Sequence, residues 1–246
     1  MEAELGPWWK LHALASRPQG DWTVRQAQIG RATVDFFVTG MGYENARRAA
    51  EGAMLNRYTH CVISGFCGAV RPGYAVGDIV VADAVQRYGK SKMLECSKGL
   101  TATAAEMDGA KRANVMMTVD EVVGTVEENA KIASAAAAVD MESFAVMEVA
   151  QARRVPTVAI RAVTDAFDQT VPRHVDEMID EKGRVNWLAA ARTLTRHPSL
   201  IPALVGLGRR SDTAAQALAR FLDEFLKKVS NLAGEMPEEL AKVAAQ

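Results

Sequence analysis

Val139-Asp140-Met141-Glu142-Ser143 and, 23 residues beyond Glu142, the end of Arg161-Ala162-Val163-Thr164-Asp165 decide how this chain is read. Each stretch closes an apolar run on carboxylates, and helix-forming residues separate the two. A strand–helix–strand connection of this length predicts a βαβ unit whose two parallel strands end on the same edge of the sheet. Ligands of open α/β sheets bind outside that carboxyl edge. Glu142 and Asp165 are therefore expected in one cleft.

Further runs extend the pattern. Residues 31–39 are rich in β-branched and aromatic side chains and predict a strand, broken by Gly40-Met41-Gly42. An alanine-rich helix is expected over about 44–57. Residues 60–64 predict a short buried strand closed by Gly65, residues 77–82 another, and 114–118 a weaker one. Residues 137–141 and 156–163 complete the set, while residues 1–9 read as a turn or helix entry. Strands alternating with helices predict an α/β fold, a single-domain three-layer sandwich over residues 1–246. Its central sheet is expected to be mixed, largely parallel and flanked by helices.

Beyond Asp168 the character changes. Residues 182–211 carry Lys182, Arg184, Arg192, Arg196, Arg209 and Arg210 with no acidic residue, interleaved with Trp187, Leu188 and other apolar side chains. This predicts an amphipathic basic helical pair broken at Pro198, then a final helix over about 212–229 bearing Leu218, Phe221, Leu222 and Phe225. Together, 182–229 form a basic C-terminal helical extension.

Composition excludes several classes. The 246 residues hold 29 basic and 30 acidic side chains, so no global field recruits nucleic acid. Cys61, Cys67 and Cys96 form no CxxC pair, and with His12, His60, His174 and His197 they suggest neither a metal site nor a disulfide framework. The expected compartment is the reducing cytoplasm. No stretch has the apolar length of a membrane span, and no signal-peptide order opens the chain.

Gly40-Met41-Gly42 and Gly65-Phe66-Cys67-Gly68 each follow a predicted strand. Such glycines either let backbone amides approach an anion or sugar hydroxyl, or simply make tight turns. Asn45 stands where a dinucleotide fingerprint needs its third glycine, and no GxxxxGK[ST] is present. Taken singly, Glu142 could answer a helix dipole, and Asp165 or Asp168 could cap a turn.

Taken together, the motifs resemble the nucleoside phosphorylase and nucleosidase superfamily, including the methylthioadenosine/S-adenosylhomocysteine nucleosidases. The likeness lies in Ser64-Gly65-Phe66-Cys67-Gly68-Ala69-Val70 ahead of Gly77-Asp78-Ile79, in Val139 to Ser143, and in Arg161 to Asp168, covering roughly residues 25–170. The basic segment from Gly183 to Leu204 looks more like the hopanoid-associated branch, which is linked to removing adenine from adenosylhopane. The resemblance implies that Asp165 protonates N7 of a departing purine and accepts from a 6-amino group. It implies that Glu142 binds ribose hydroxyls, Met141 lies beneath the sugar, and Glu4 orients the attacking water. Gly42, Gly65 and Phe66 would border the sugar. Val122 and Val123 would line the adenine pocket, with plain core packing as their alternative reading.

The expected activity is cleavage of the N-glycosidic bond of an adenine nucleoside by water. Alternatives are phosphorolysis with Arg47, Arg48 or Arg71 on phosphate, a methylthioadenosine/S-adenosylhomocysteine nucleosidase, or a non-catalytic nucleoside-binding protein. No cofactor or metal is called for, and a homo-oligomer is implied by resemblance. The basic helices either lie on an anionic membrane at the inner surface, with Arg192, Arg196 and Arg210 at headgroup level, or pack on the sheet and at a dimer interface. Three departures stand out. The superfamily places a strand before the residue matching Glu4, Phe66 replaces a small hydroxyl residue, and residues 84–114 form a short polar segment that leaves one pocket wall in doubt.

Overall fold

The computed structural model describes residues 2–20, 22–121, 123, 125–169, 192–193, 195–197 and 200–235. Helix α1 (Glu2–Trp9) leads into an antiparallel meander of β1 (Ala15–Gln19), β2 (Trp22–Ile29) and β3 (Ala32–Phe36). Gly30, at φ +58°, makes the tight turn from β2 to β3. After α2 (Tyr43–Ala53) come β4 (Cys61–Ala69), β5 (Ile79–Arg87), β6 (Met93–Glu95), α3 (Lys98–Ala105) and β7 (Ala110–Thr118). Then follow α4 (Val126–Ala133), β8 (Ala138–Asp140), α5 (Ser143–Ala152), β9 (Thr157–Asp165) and a long α6 (Ile201–Glu235).

The six strands order as β6-β5-β7-β8-β4-β9, and a further β5–β9 pairing closes them into a barrel-like sheet. The mixed α/β fold with flanking helices is as expected. Strand β9 is buried from Thr157 to Thr164, the pattern of a strand covered on both faces. One cover is α6, whose Leu218, Phe221, Leu222 and Phe225 pack with Val158, Ile160 and Ala162.

The βαβ expectation is wrong in its geometry. Strand β8 runs antiparallel to β4 while β9 runs parallel to it, so β8 and β9 oppose each other. The acids meet for another reason. Gly68 of β4 pairs with Val139 on one side and with Asp165 on the other. The β4–β9 register shifts between Cys67 and Gly68, and such an irregularity bends a strand so that it can serve two neighbours. Gly65 to Gly68 accordingly lie within β4 rather than in a loop.

Other expectations shift too. The 84–114 segment holds β6 and α3, so the doubted wall exists, with Leu100 facing the site cavity. The final helix does not begin near Asp212. It starts at Ile201, because Pro202 sits in a first turn that needs no N–H partner. Residues 182–191 and Pro198 lie outside the described residues. Among the described residues no strand runs between β3 and β4, and α1 occupies the stretch around Glu4.

Candidate active site

A cavity of about 500 Å³ opens between the meander, β4, the ends of β8 and β9, and α6. Glu4, Phe66, Val123, Met141, Glu142 and Asp165 all line it. Gly42 and Gly65 do not line it, and Val122 lies outside the described residues. The two acids whose meeting the sequence predicted therefore share one chamber.

Glu142 occupies the N-cap position of α5 yet makes no cap bond to its own helix. Its carboxylate turns across the chamber wall instead. Oε1 accepts the Gly42 N–H at 2.9 Å, and Oε2 lies 3.4 Å from Arg161 Nη1. Gly42 is itself the N-cap of α2 at φ +89°, a conformation that suits glycine and aims its amide at Glu142. The anion met by this glycine loop is thus the protein's own carboxylate.

Arg161 is the hub beneath. It is 2% exposed, and its Nη2 meets Asp140 Oδ2 at 2.8 Å. Nη2 and Nε also donate to Ser143 Oγ, and Nη1 to the Phe66 carbonyl. Burial opposes the guanidinium charge, but Asp140 and then Glu142 raise its pKa above the ordinary value. Asp140 also accepts Thr118 Oγ1 at 2.7 Å and the Ser143 N–H, and Thr118 Oγ1 accepts the Phe144 N–H. A buried ion pair survives only when its remaining polar groups are answered, as they are here. Gly65 is required by this crossing. A Cβ there would lie 2.5 Å from Arg161 Nη1 and 3.0 Å from Glu4 Oε1.

Glu4 reaches the site from α1, and its Oε1 accepts the Phe66 N–H at 3.2 Å. Asp165, the last residue of β9, is held by side chains. Thr164 Oγ1 donates to Oδ2 at 2.8 Å, and Arg210 Nη2 from α6 donates to Oδ1 at 3.0 Å. Arg210, which the membrane alternative would set at headgroup level, is thus committed to an internal pair, as the packing alternative allows. Cys61 and Cys67 also line the cavity, but burial pushes the Cys61 thiol up to about 12 and raises that of Cys67 as well. Neither is a thiolate nucleophile near neutral pH.

The arginines considered for phosphate point elsewhere. Arg47 pairs with Glu44 and Glu51 along α2, Arg48 donates to Asn45, and Arg71 donates to the carbonyls of Ala133 and Ser134. None of the three lines the cavity. Sequence reasoning gave no role to Arg161 or Asp140, although charges inside fully buried strands were a legible signal. For Arg210, 45 residues from its partner, there was no local signal.

Residues 10–196 match the family model described as the phosphorylase superfamily. Among proteins of curated function, none matches the sequence significantly. Solved structures do match. The native futalosine hydrolase of Helicobacter pylori aligns at 17% identity and TM-score 0.71, covering 93% of this chain and 94% of that one. The methylthioadenosine/S-adenosylhomocysteine nucleosidase of Campylobacter jejuni aligns at 17% identity and TM-score 0.70, covering 93% and 96%. A mutant nucleosidase of Helicobacter pylori with 5′-methylthioadenosine in its active site gives 17%, 0.70, 93% and 95%. At these identities the likeness is one of fold.

Proposed function

The chain belongs to the phosphorylase superfamily, and on that footing we propose that it hydrolyses the N-glycosidic bond of an adenine nucleoside. The observation that carries the proposal is the convergence of Glu4, Glu142 and Asp165 on one cavity of about 500 Å³. That volume falls within the range of roughly 300–1,000 Å³ typical of small-molecule sites.

Each carboxylate has a chemical task. Glu142 keeps lone pairs beyond those answered by Gly42 and Arg161, and a vicinal ribose diol supplies the matching donors. Met141 gives the sugar a soft apolar contact. Water adds its oxygen to C1′ while Glu4 takes its proton. As the C1′–N9 bond breaks, its electron pair passes into the purine, and Asp165 supplies a proton to N7. The paired oxygens of Asp165 also suit the 6-amino group of adenine. The binding of Arg47, Arg48 and Arg71 away from the cavity favours water over phosphate as nucleophile.

The substituent at C5′ is the finer part of the proposal. Phe66 and Leu207 bring apolar surface to the same cavity, which supports a nucleoside with an apolar 5′ group, adenosylhopane being the large example. Free adenine measured by chromatography across 5′-methylthioadenosine, S-adenosylhomocysteine and an apolar-tailed adenosine tests both levels. Asp165→Asn should lose about 10²–10⁴-fold in rate with unchanged circular dichroism. Adenine release from none of these substrates, or an Asp165→Asn variant of full activity, overturns the proposal. Ribose 1-phosphates among the products would replace water by phosphate.

A further inference from the structure

Both oxygens of Asp165 already accept hydrogen bonds within the protein, but the two donors differ. Thr164 is the preceding residue in β9 and is 6% exposed, so it stays with the strand. Arg210 comes from α6 and makes one bond, Nη2 to Oδ1, rather than the two-pronged bond a guanidinium can offer. Its Nε is buried with no hydrogen-bond partner. A buried unanswered donor is costly, so this arginine is held incompletely.

The helix that carries it is also unevenly anchored. From Ile201 to Arg209 no residue of α6 is buried, with Ile201 and Val205 about half exposed, and the first buried side chain is Ala214. Among the described residues, the Arg210–Asp165 pair is the one side-chain hydrogen bond tying residues 201–213 to another element. Leu207 and Ser211, flanking Arg210, line the cavity itself. A purine that presents N7 and its 6-amino group to one carboxylate engages both oxygens, so its contact at Oδ1 has to be made beside the hydrogen bond from Arg210.

Resting on the reading of Asp165 as the base-contacting acid, we propose that Arg210 is a substrate-displaceable latch. The adenine ring and Arg210 compete for Oδ1 of Asp165, and occupation of the base site releases the first turns of α6. Arg210 acts through Asp165 and is a positioning residue. It sets how readily the base gains the acid, and it couples the site to the exposed end of α6.

Hydrogen exchange and adenine titration of the full chain test this. Amides of residues 201–212 should exchange faster in Arg210→Gln without ligand, and equally fast in the wild type saturated with adenine. Arg210→Gln should bind adenine at least about fivefold more tightly, the lower end of ordinary coupling, and lower KM more than it changes kcat. Arg210→Lys should restore slow exchange. On an Asp165→Asn background, Arg210→Gln should add nothing. Unchanged exchange in Arg210→Gln, or weaker adenine binding by it, overturns the latch while leaving the nucleosidase reading intact. Wild-type protein that neither binds adenine nor releases it from nucleosides overturns the reading and the latch together.

Discussion

Two carboxylate-centred networks border the cavity, and they share a recipe. At the barrel wall, Asp140 accepts from Arg161, the Thr118 hydroxyl and a backbone amide. At the meander wall, Asp35 of β3 accepts from Arg17, the Tyr58 hydroxyl and Gln26. Burial separates them. The side chains of Asp140 and Arg161 are 0% and 3% exposed, while those of Asp35 and Arg17 are 8% and 37% exposed. Desolvation makes the first network an all-or-none unit, since losing one partner strands a buried charge. Water can replace a lost donor in the second. The deep network also carries function, because Arg161 touches Glu142 and the Phe66 carbonyl.

The sharpest way to break this contrast is Arg161→Met. Methionine nearly fills the space but leaves Asp140 charged and unpaired. The expected loss is about 3–5 kcal/mol of stability, read as a lowered denaturation midpoint. A loss below about 1 kcal/mol would place this pair with exposed ones and abolish the distinction. The double variant Arg161→Met with Asp140→Leu should recover much of the loss, because it removes the stranded charge along with its partner.

How much of this was legible follows from where each partner lies. Glu142 and Asp165 could be read because each closes an apolar strand in a motif of fixed spacing. Their route together could not, because strand direction here depends on Gly68, a residue of β4 some 70 positions before Glu142. Strand β1 was missed since Ala15-Ser16-Arg17-Pro18-Gln19 has neither β-branched residues nor alternation, and it pairs because β2 offers an edge. The alternation in Trp22–Ile29 slips by one residue at Arg25-Gln26, so that Val24, Ala27 and Ile29 are buried and no unbroken period of two marks the strand. Arg210 could be found only once α6 was laid against β9, because the basic composition of its segment left membrane contact and packing on the sheet both open.

A smaller effect is expected one shell nearer the cavity, from Glu142→Gln. The amide is close in shape, so Gly42 keeps its acceptor, but the charge facing Arg161 and the second acceptor for a diol are lost. Charge-assisted hydrogen bonds are worth about 1.5–3 kcal/mol. Adenine nucleosides should therefore show kcat/KM reduced by about 10–100-fold, the conversion of that range. A 2′,3′-dideoxy substrate should be much less sensitive to the substitution. Equal losses on both substrates would mean that Glu142 acts on the fold rather than on the sugar.

The gentlest test addresses the meander wall. Burial works to raise the Asp35 pKa, yet the hydrogen bonds from Gln26, Tyr58 and Arg17 outweigh it, and the folded value lies below the ordinary 3.8. A carboxyl held low in the folded state stabilises the protein above its unfolded pKa, and that contribution disappears as pH falls through the folded value. The window therefore opens just below pH 4 and lies on the acid side only. Hydrogen exchange in β1–β3 should accelerate relative to the intrinsic rate between pH 5 and pH 3, and Asp35→Asn should remove the pH dependence of that local opening. The partial exposure of Arg17 keeps the effect small, since an exposed ion pair contributes about 0–1 kcal/mol. If Arg17→Met instead destabilised the protein as severely as Arg161→Met, the two networks would be energetically alike, and burial would not be what divides them.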